Sequence, residues 1–179
     1  PGHDAGNLYD DNRGSARVYQ YNGTSWNQLG EDIYGLIGDQ NGFSVSLSSD
    51  GTIIATGAPY NDITATNAGV ARMYQYNGTS WSKLGQDIVG ENGDDQFGRS
   101  LSLSSDGTIV AIGAHLNDGN GTDSGSVRIY QYNNNSWVQL GGDIDGEASD
   151  DKSGWTVAIS SDGTIVAIGS RSNSNDSGS

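Results

Sequence analysis

An all-β repeat protein is the fold class this sequence predicts, on three observations. One block, Tyr19-Gln20-Tyr21-Asn22-Gly23-Thr24-Ser25-Trp26, returns at 74–81 and, with its turn altered, at 130–137. A second block, Ser48-Ser49-Asp50-Gly51-Thr52-Ile53, returns at 104–109 and 160–165. Trp26, Trp81 and Trp137 are 55 and 56 residues apart, and Asp50, Asp106 and Asp162 are 56 and 56 apart, so two landmarks keep one period. Composition is the third observation: 28 glycines, two prolines and only 33% apolar residues suit short strands joined by tight turns. No stretch places apolar residues at the i, i+3, i+4, i+7 spacing of a long helix.

Each unit supplies four strands. In the first, over 16–21, Ala16, Val18 and Gln20 alternate with Arg17, Tyr19 and Tyr21. Asn22-Gly23 then makes a hairpin turn, since both residues tolerate positive φ. A second strand runs from near Trp26 towards Ile33, followed by a glycine-rich acidic connection. The third covers 44–47, and Ser49-Asp50-Gly51 turns it into a fourth at 52–57. Ile109-Val110-Ala111-Ile112 and Ile165-Val166-Ala167-Ile168 are the fourth strands of the next two units.

These fourth strands are apolar on both faces, which a sheet needs when both faces are covered. Stacked blades of a propeller meet that need. The expected architecture is three β-propeller-like blades of four antiparallel strands, as an incomplete propeller or a segment of a longer array. A β-solenoid with large coils is the structural alternative. Pro1 aligns with Pro59, His115 and Arg171, giving units at 1–58, 59–114 and 115–170 and the start of a fourth at 171–179. Three blades do not close a ring that typically has four to eight, so a longer array or an assembly of chains is expected.

The formal net charge is −14, with eight Lys and Arg that form no stripe. Such a surface repels nucleic acid and anionic membrane, and leaves cations, neutral sugars or proteins as partners. The bland reading of the same charge is solubility. There is no cysteine, so neither disulfides nor Cys-ligated metal hold the fold. No apolar run approaches a membrane span. The chain begins at Pro1 without a Met, which leaves room for a removed leader.

The ordered set of motifs resembles the FG-GAP repeat of integrin α-type β-propellers. Phe97-Gly98 looks like the Phe-Gly half, with Asn41-Gly42 and Ser153-Gly154 as weaker counterparts. Gly57-Ala58-Pro59 looks like the Gly-Ala-Pro half, with Gly113-Ala114-His115 and Gly169-Ser170-Arg171 as degenerate copies. The strand that follows in the family resembles residues 15–21, 70–76 and 126–132. Many members carry an Asp-x-Asp-x-Asp-Gly calcium loop between the halves. Here each such segment, 48–52, 104–108 and 160–164, holds a single Asp, too few ligands for calcium. Asp50, Asp106 and Asp162 are therefore expected to shape turns.

Several residue sets are candidate sites. Trp26, Trp81 and Trp137 could stack on sugar rings, or could pack between blades. In the loop Asn117, Asp118, Asn120 and Asp123, oxygen side chains alternate with glycine as in a calcium wrap, though a solvated turn is the better reading of the spacing. Asp4, Asp10 and Asp11, then Asn61, Asp62 and Asn67, are the matching loops of the earlier units. A second acidic set comprises Asp32 and Asp39, Asp87, Glu91, Asp94 and Asp95, and Asp143, Asp145, Glu147, Asp150 and Asp151. Paired carboxylates can hydrolyse glycosides, but repetition in every unit argues for structure. His3 and His115 lie in no Ser-His-Asp or metal spacing. Asn22, Asn77, Asn120, Asn134 and Asn175 head glycosylation sequons.

The expected function is that of a non-enzymatic extracellular or cell-surface repeat protein, structural or adhesive, self-associating into a larger assembly or filament. A lectin-like propeller module that binds glycans through the Trp series is the alternative. No cofactor is required; calcium is the one left open.

Overall fold

The computed structural model describes residues 11–172. Among them every regular element is a strand. In chain order these are β1 (Ser15–Ala16), β2 (Tyr19–Tyr21), β3 (Trp26–Gln28), β4 (Ile33–Tyr34), β5 (Ser44–Leu47) and β6 (Ile53–Ala58). Next come β7 (Val70–Tyr76), β8 (Trp81–Lys83), β9 (Ile88–Val89), β10 (Ser100–Leu103) and β11 (Ile109–Ala114). The last five are β12 (Ser126–Asn133), β13 (Ser136–Gln139), β14 (Ile144–Asp145), β15 (Thr156–Ile159) and β16 (Val166–Gly169).

Hydrogen bonding groups these strands across the sequence period. One antiparallel sheet runs β5-β6-β7-β8 with β9 also on β7, and the next runs β10-β11-β12-β13 with β14 also on β12. Each blade thus joins the last two strands of one unit to the first two of the next. The sequence period has no phase of its own, and the connections at 58/59 and 114/115 lie inside blades. β1–β4 are the outer part of a preceding blade, and β15–β16 are the inner pair of a following one.

The expected second strand is broken in all three copies. Tyr74 pairs with Lys83 but Ala71 with Ile88, so residues 84–87 form a bulge against β7. Tyr130 with Gln139 and Val127 with Ile144 repeat it. The bulge carries Asp87 or Asp143 towards the arginine on the neighbouring strand, at 3.3 Å from Arg72 and 2.8 Å from Arg128. At the hairpin tips, Gly23 and Gly78 take positive φ while Asn22 and Asn77 close the loop by accepting N–H bonds through Oδ1. The third tip is a two-residue turn with Asn134 and Asn135 both at positive φ, 48° and 67°.

β11 is buried on both faces, as its composition predicts. Val110 and Ile112 face one cluster with Met73, Phe97, Leu101 and Trp137. Ala111 faces the other, with Val127, Ile129 and the β15–β16 pair. The fully buried Phe97, Met73 and Ile112 each contribute about 1.5–3 kcal/mol of apolar burial. The inner strands β5, β10 and β15 are laced together by side chains and backbone. The amide of Leu103 donates to Ser46 Oγ at 3.0 Å, and that of Ile159 donates to Ser102 Oγ at 3.1 Å. The amide of Ser49 donates to the Ser105 carbonyl at 2.8 Å, and that of Ser105 to the Ser161 carbonyl at 2.9 Å.

Candidate functional site

The tryptophans build a seam between blades. The hairpin places Trp137 at the start of its outer strand, where the ring leans on Tyr132 with centroids 5.1 Å apart. Its indole N–H donates to the Leu84 carbonyl of the preceding blade at 2.8 Å. Gln86 clamps it from that blade, its side chain accepting from the Trp137 amide at 3.0 Å and donating to the Trp137 carbonyl at 2.8 Å. Trp81 repeats the bond to the Leu29 carbonyl at 2.7 Å. A side chain at Gly30 or Gly85 would press into these rings, which is why the residue after each Leu has none. Trp137 is 3% exposed and Trp26 is 67% exposed. Trp137 is thus buried in the seam, Trp81 is half-buried in it, and Trp26 is exposed.

Beside the seam lies a repeated polar network. Asp39 is buried and accepts from Asn61 at 2.6 Å, Arg72 at 2.8 Å and the Leu36 amide at 2.9 Å. One unit on, Asp95 accepts from Asn117 at 2.9 Å, while Arg128 bonds Glu91 and Asp143, both at 2.8 Å. An open cleft of about 490 Å³ lies here, lined by Glu91, Asp95, Asn117, Arg128, Asp143 and Asp145 among others. Burial pushes the Asp95 carboxyl upward, against the Asn117 hydrogen bond that lowers it. In the first unit Arg17 and then Gln28 hold Asp32 down at about 2. The carboxylates considered for glycoside hydrolysis at Asp32, Asp87, Asp143 and Glu91 are thus ion-paired with arginines. Arg17, Arg72 and Arg128 recur at the repeat period, as do Asp39, Asp95 and Asp151. That spacing was the available sequence signal for this network.

In the Asp-Gly turns the carboxylates bond the turn's own hydroxyl and amide groups. Asp50 accepts from Ser48 Oγ at 2.7 Å and from the Thr52 amide at 2.9 Å, and Asp106 and Asp162 do the same. The Ser160 hydroxyl and Thr164 amide hold Asp162 at about 2. In the 117–123 loop the side chains also turn inward. Asn117 Oδ1 accepts from Gly119, Asp118 accepts from the Asp123 amide, and Asn120 donates to the Gly146 carbonyl. Asp123 pairs with Lys152 at 2.8 Å. No group of three or more His, Cys, Asp or Glu among the described residues could hold a metal ion.

The sequon residues Asn22, Asn77 and Asn134 sit at exposed hairpin tips, and Asn120 is exposed with its amide nitrogen engaged. Asp4, Asp10, His3 and Asn175 lie outside the described residues.

Residues 90–130 match the model of the FG-GAP repeat. This segment is an FG-GAP repeat. No curated protein matches the chain. In this FG-GAP repeat the two halves of the motif meet at the backbone: the Gly98 amide donates to the Gly113 carbonyl at 3.1 Å. The Gly98 carbonyl accepts from Ser44 Oγ of the preceding blade at 2.7 Å, and a Cβ at Gly57 would overlap that same oxygen. The neighbouring copies use the equivalent bonds, Gly42 to Gly57 at 3.1 Å and Ser100 Oγ to Gly154 at 2.7 Å. Both motif glycines are thus demanded by unit-to-unit contact. FG-GAP repeats occur in adhesion-type extracellular β-propellers and are generally non-enzymatic. Among the described residues no helix is long and apolar enough to cross a membrane.

Proposed function

We propose that this chain is a non-enzymatic extracellular scaffold, structural or adhesive, whose units add to one another through one repeated seam. The seam's recurrence carries the reading: Trp81 on Leu29 and Trp137 on Leu84 use the same atoms at 2.7 and 2.8 Å. The outer faces of the described array present its two unmatched halves. Trp26 is exposed, and at the other side a Cβ on Gly141 would meet nothing within 4 Å, whereas Gly30 and Gly85 each touch an indole. Leu140, the counterpart of Leu29 and Leu84, is 46% exposed. A further unit of the same repeat fits between these faces, and a head-to-tail contact of this kind propagates into a ring or a filament.

Light scattering behind size exclusion tests this over a concentration series. Growth of the native mass that Trp26→Ala abolishes supports it. A single-chain mass at every concentration, or an oligomer indifferent to Trp26→Ala, counts against it.

A further inference from the structure

The protein carries 22 acidic against eight basic side chains. Six of the eight sit on a carboxylate: Arg13, Arg17, Arg72, Lys83, Arg128 and Lys152. Arg99 and Arg171 are the two cations without a carboxylate among the described residues. Both lie over the same ring, their guanidinium carbons 4.7 and 4.6 Å from the Trp155 centroid. Arg99 is also 4.4 Å from the Phe43 centroid, so its guanidinium lies over two aromatic rings.

Phe43, Arg99 and Trp155 occupy the same place in three successive units, just after the Phe-Gly glycine. His115 completes the cluster, edge-on to Trp155 at 4.6 Å. It is 3% exposed, and its Nδ1 has no hydrogen-bond partner. Burial first, then Arg99 and Lys152, hold its ring neutral with a pKa of about 4.

Stacking occupies the faces of a guanidinium and leaves its in-plane N–H groups, five donors and no acceptor, for something else. A forked set of donors fixed in position matches the two oxygens of a carboxylate or sulfate. We infer that Arg99, held over Trp155 and Phe43, and Arg171, held over Trp155, form an oxyanion-binding site that takes a carboxylate or sulfate group.

Calorimetric titration of the full 179-residue chain tests the site, at constant ionic strength, with sodium sulfate, sodium acetate and, as a control, glucose. A dissociation constant on the order of 1 mM is expected for at least one of the anions, and the preferred arm tells sulfate from carboxylate. Glucose should give no heat. Arg171→Gln, at an exposed position, should weaken the anion at least about tenfold with the melting temperature unchanged. Arg99→Gln should do the same, and Arg99→Lys should recover only part of the affinity. The inference is overturned if neither anion binds, if glucose binds as well as they do, or if both Gln variants bind as the wild type does.

Discussion

Trp26, Trp81 and Trp137 share one sequence context, so truncating each to alanine separates the context from the contact. For Trp137 the loss is large. The ring is 3% exposed, packs in the cluster with Met73 and Ile112, and gives its N–H to Leu84. Removing a buried aromatic costs about 3–5 kcal/mol, and a carbonyl left without its donor adds about 1 kcal/mol. A cost of about 4–6 kcal/mol is expected for Trp137→Ala, and for Trp26→Ala, whose ring is 67% exposed, less than about 1 kcal/mol. Trp81→Ala falls between them. Urea unfolding followed by far-ultraviolet dichroism reads this as a midpoint shift of roughly 2–3 M for Trp137→Ala, at an m-value of about 2 kcal/mol/M. The experiment is run at a concentration where each variant has its single-chain mass. Equal shifts for Trp26→Ala and Trp137→Ala would refute the reasoning, because the seam would then contribute nothing that the hairpin does not.

Four further outcomes follow from the same geometry. Gly57→Ala should destabilise by more than about 2 kcal/mol, because a Cβ there overlaps the Gly98 carbonyl. Gly142→Ala, with open space around it, should be neutral or stabilising by up to about 1 kcal/mol, both read from urea midpoints. Asp50, Asp106 and Asp162 are held below their ordinary pKa by the turns that they close. Their stabilisation is present above the unfolded value of about 3.9 and is lost as pH falls towards the folded one, so the melting temperature should drop between about pH 4 and pH 2, and less steeply in Asp162→Asn. Chelator should leave the melting temperature unchanged and added calcium should not raise it, since the Asp-Gly turns spend their oxygens internally.

Strand composition carried most of the fold. Apolar character on both faces of 109–112 announced a strand covered on two sides, and Asp-Gly and Asn-Gly marked the turns. Two features were not legible. The bulge at 84–87 depends on which partner residues β8 and β9 meet on β7, a pairing that no local pattern encodes. The phase of the blades was hidden because a periodic sequence fits any phase; only the hydrogen bonds between β6 and β7 set it. At the level of sites, Trp81 and Trp137 show the limit of reading types without neighbours. An aromatic at repeat spacing suits a sugar or a seam equally until its N–H is seen to reach Leu29 or Leu84. The stack of Arg99 on Trp155 was hidden for another reason, since its members lie 56 residues apart and differ in type.

Hydrogen exchange at the indole N–H groups tests the central claim, that successive units lock together through their tryptophans. Assigned NMR spectra are recorded where light scattering gives the single-chain mass. The indoles of Trp81 and Trp137 should exchange slowly, because each is bonded to the preceding blade, and that of Trp26 should exchange at the rate of a free side chain. Fast exchange at Trp81 and Trp137, equal to that at Trp26, would contradict the account.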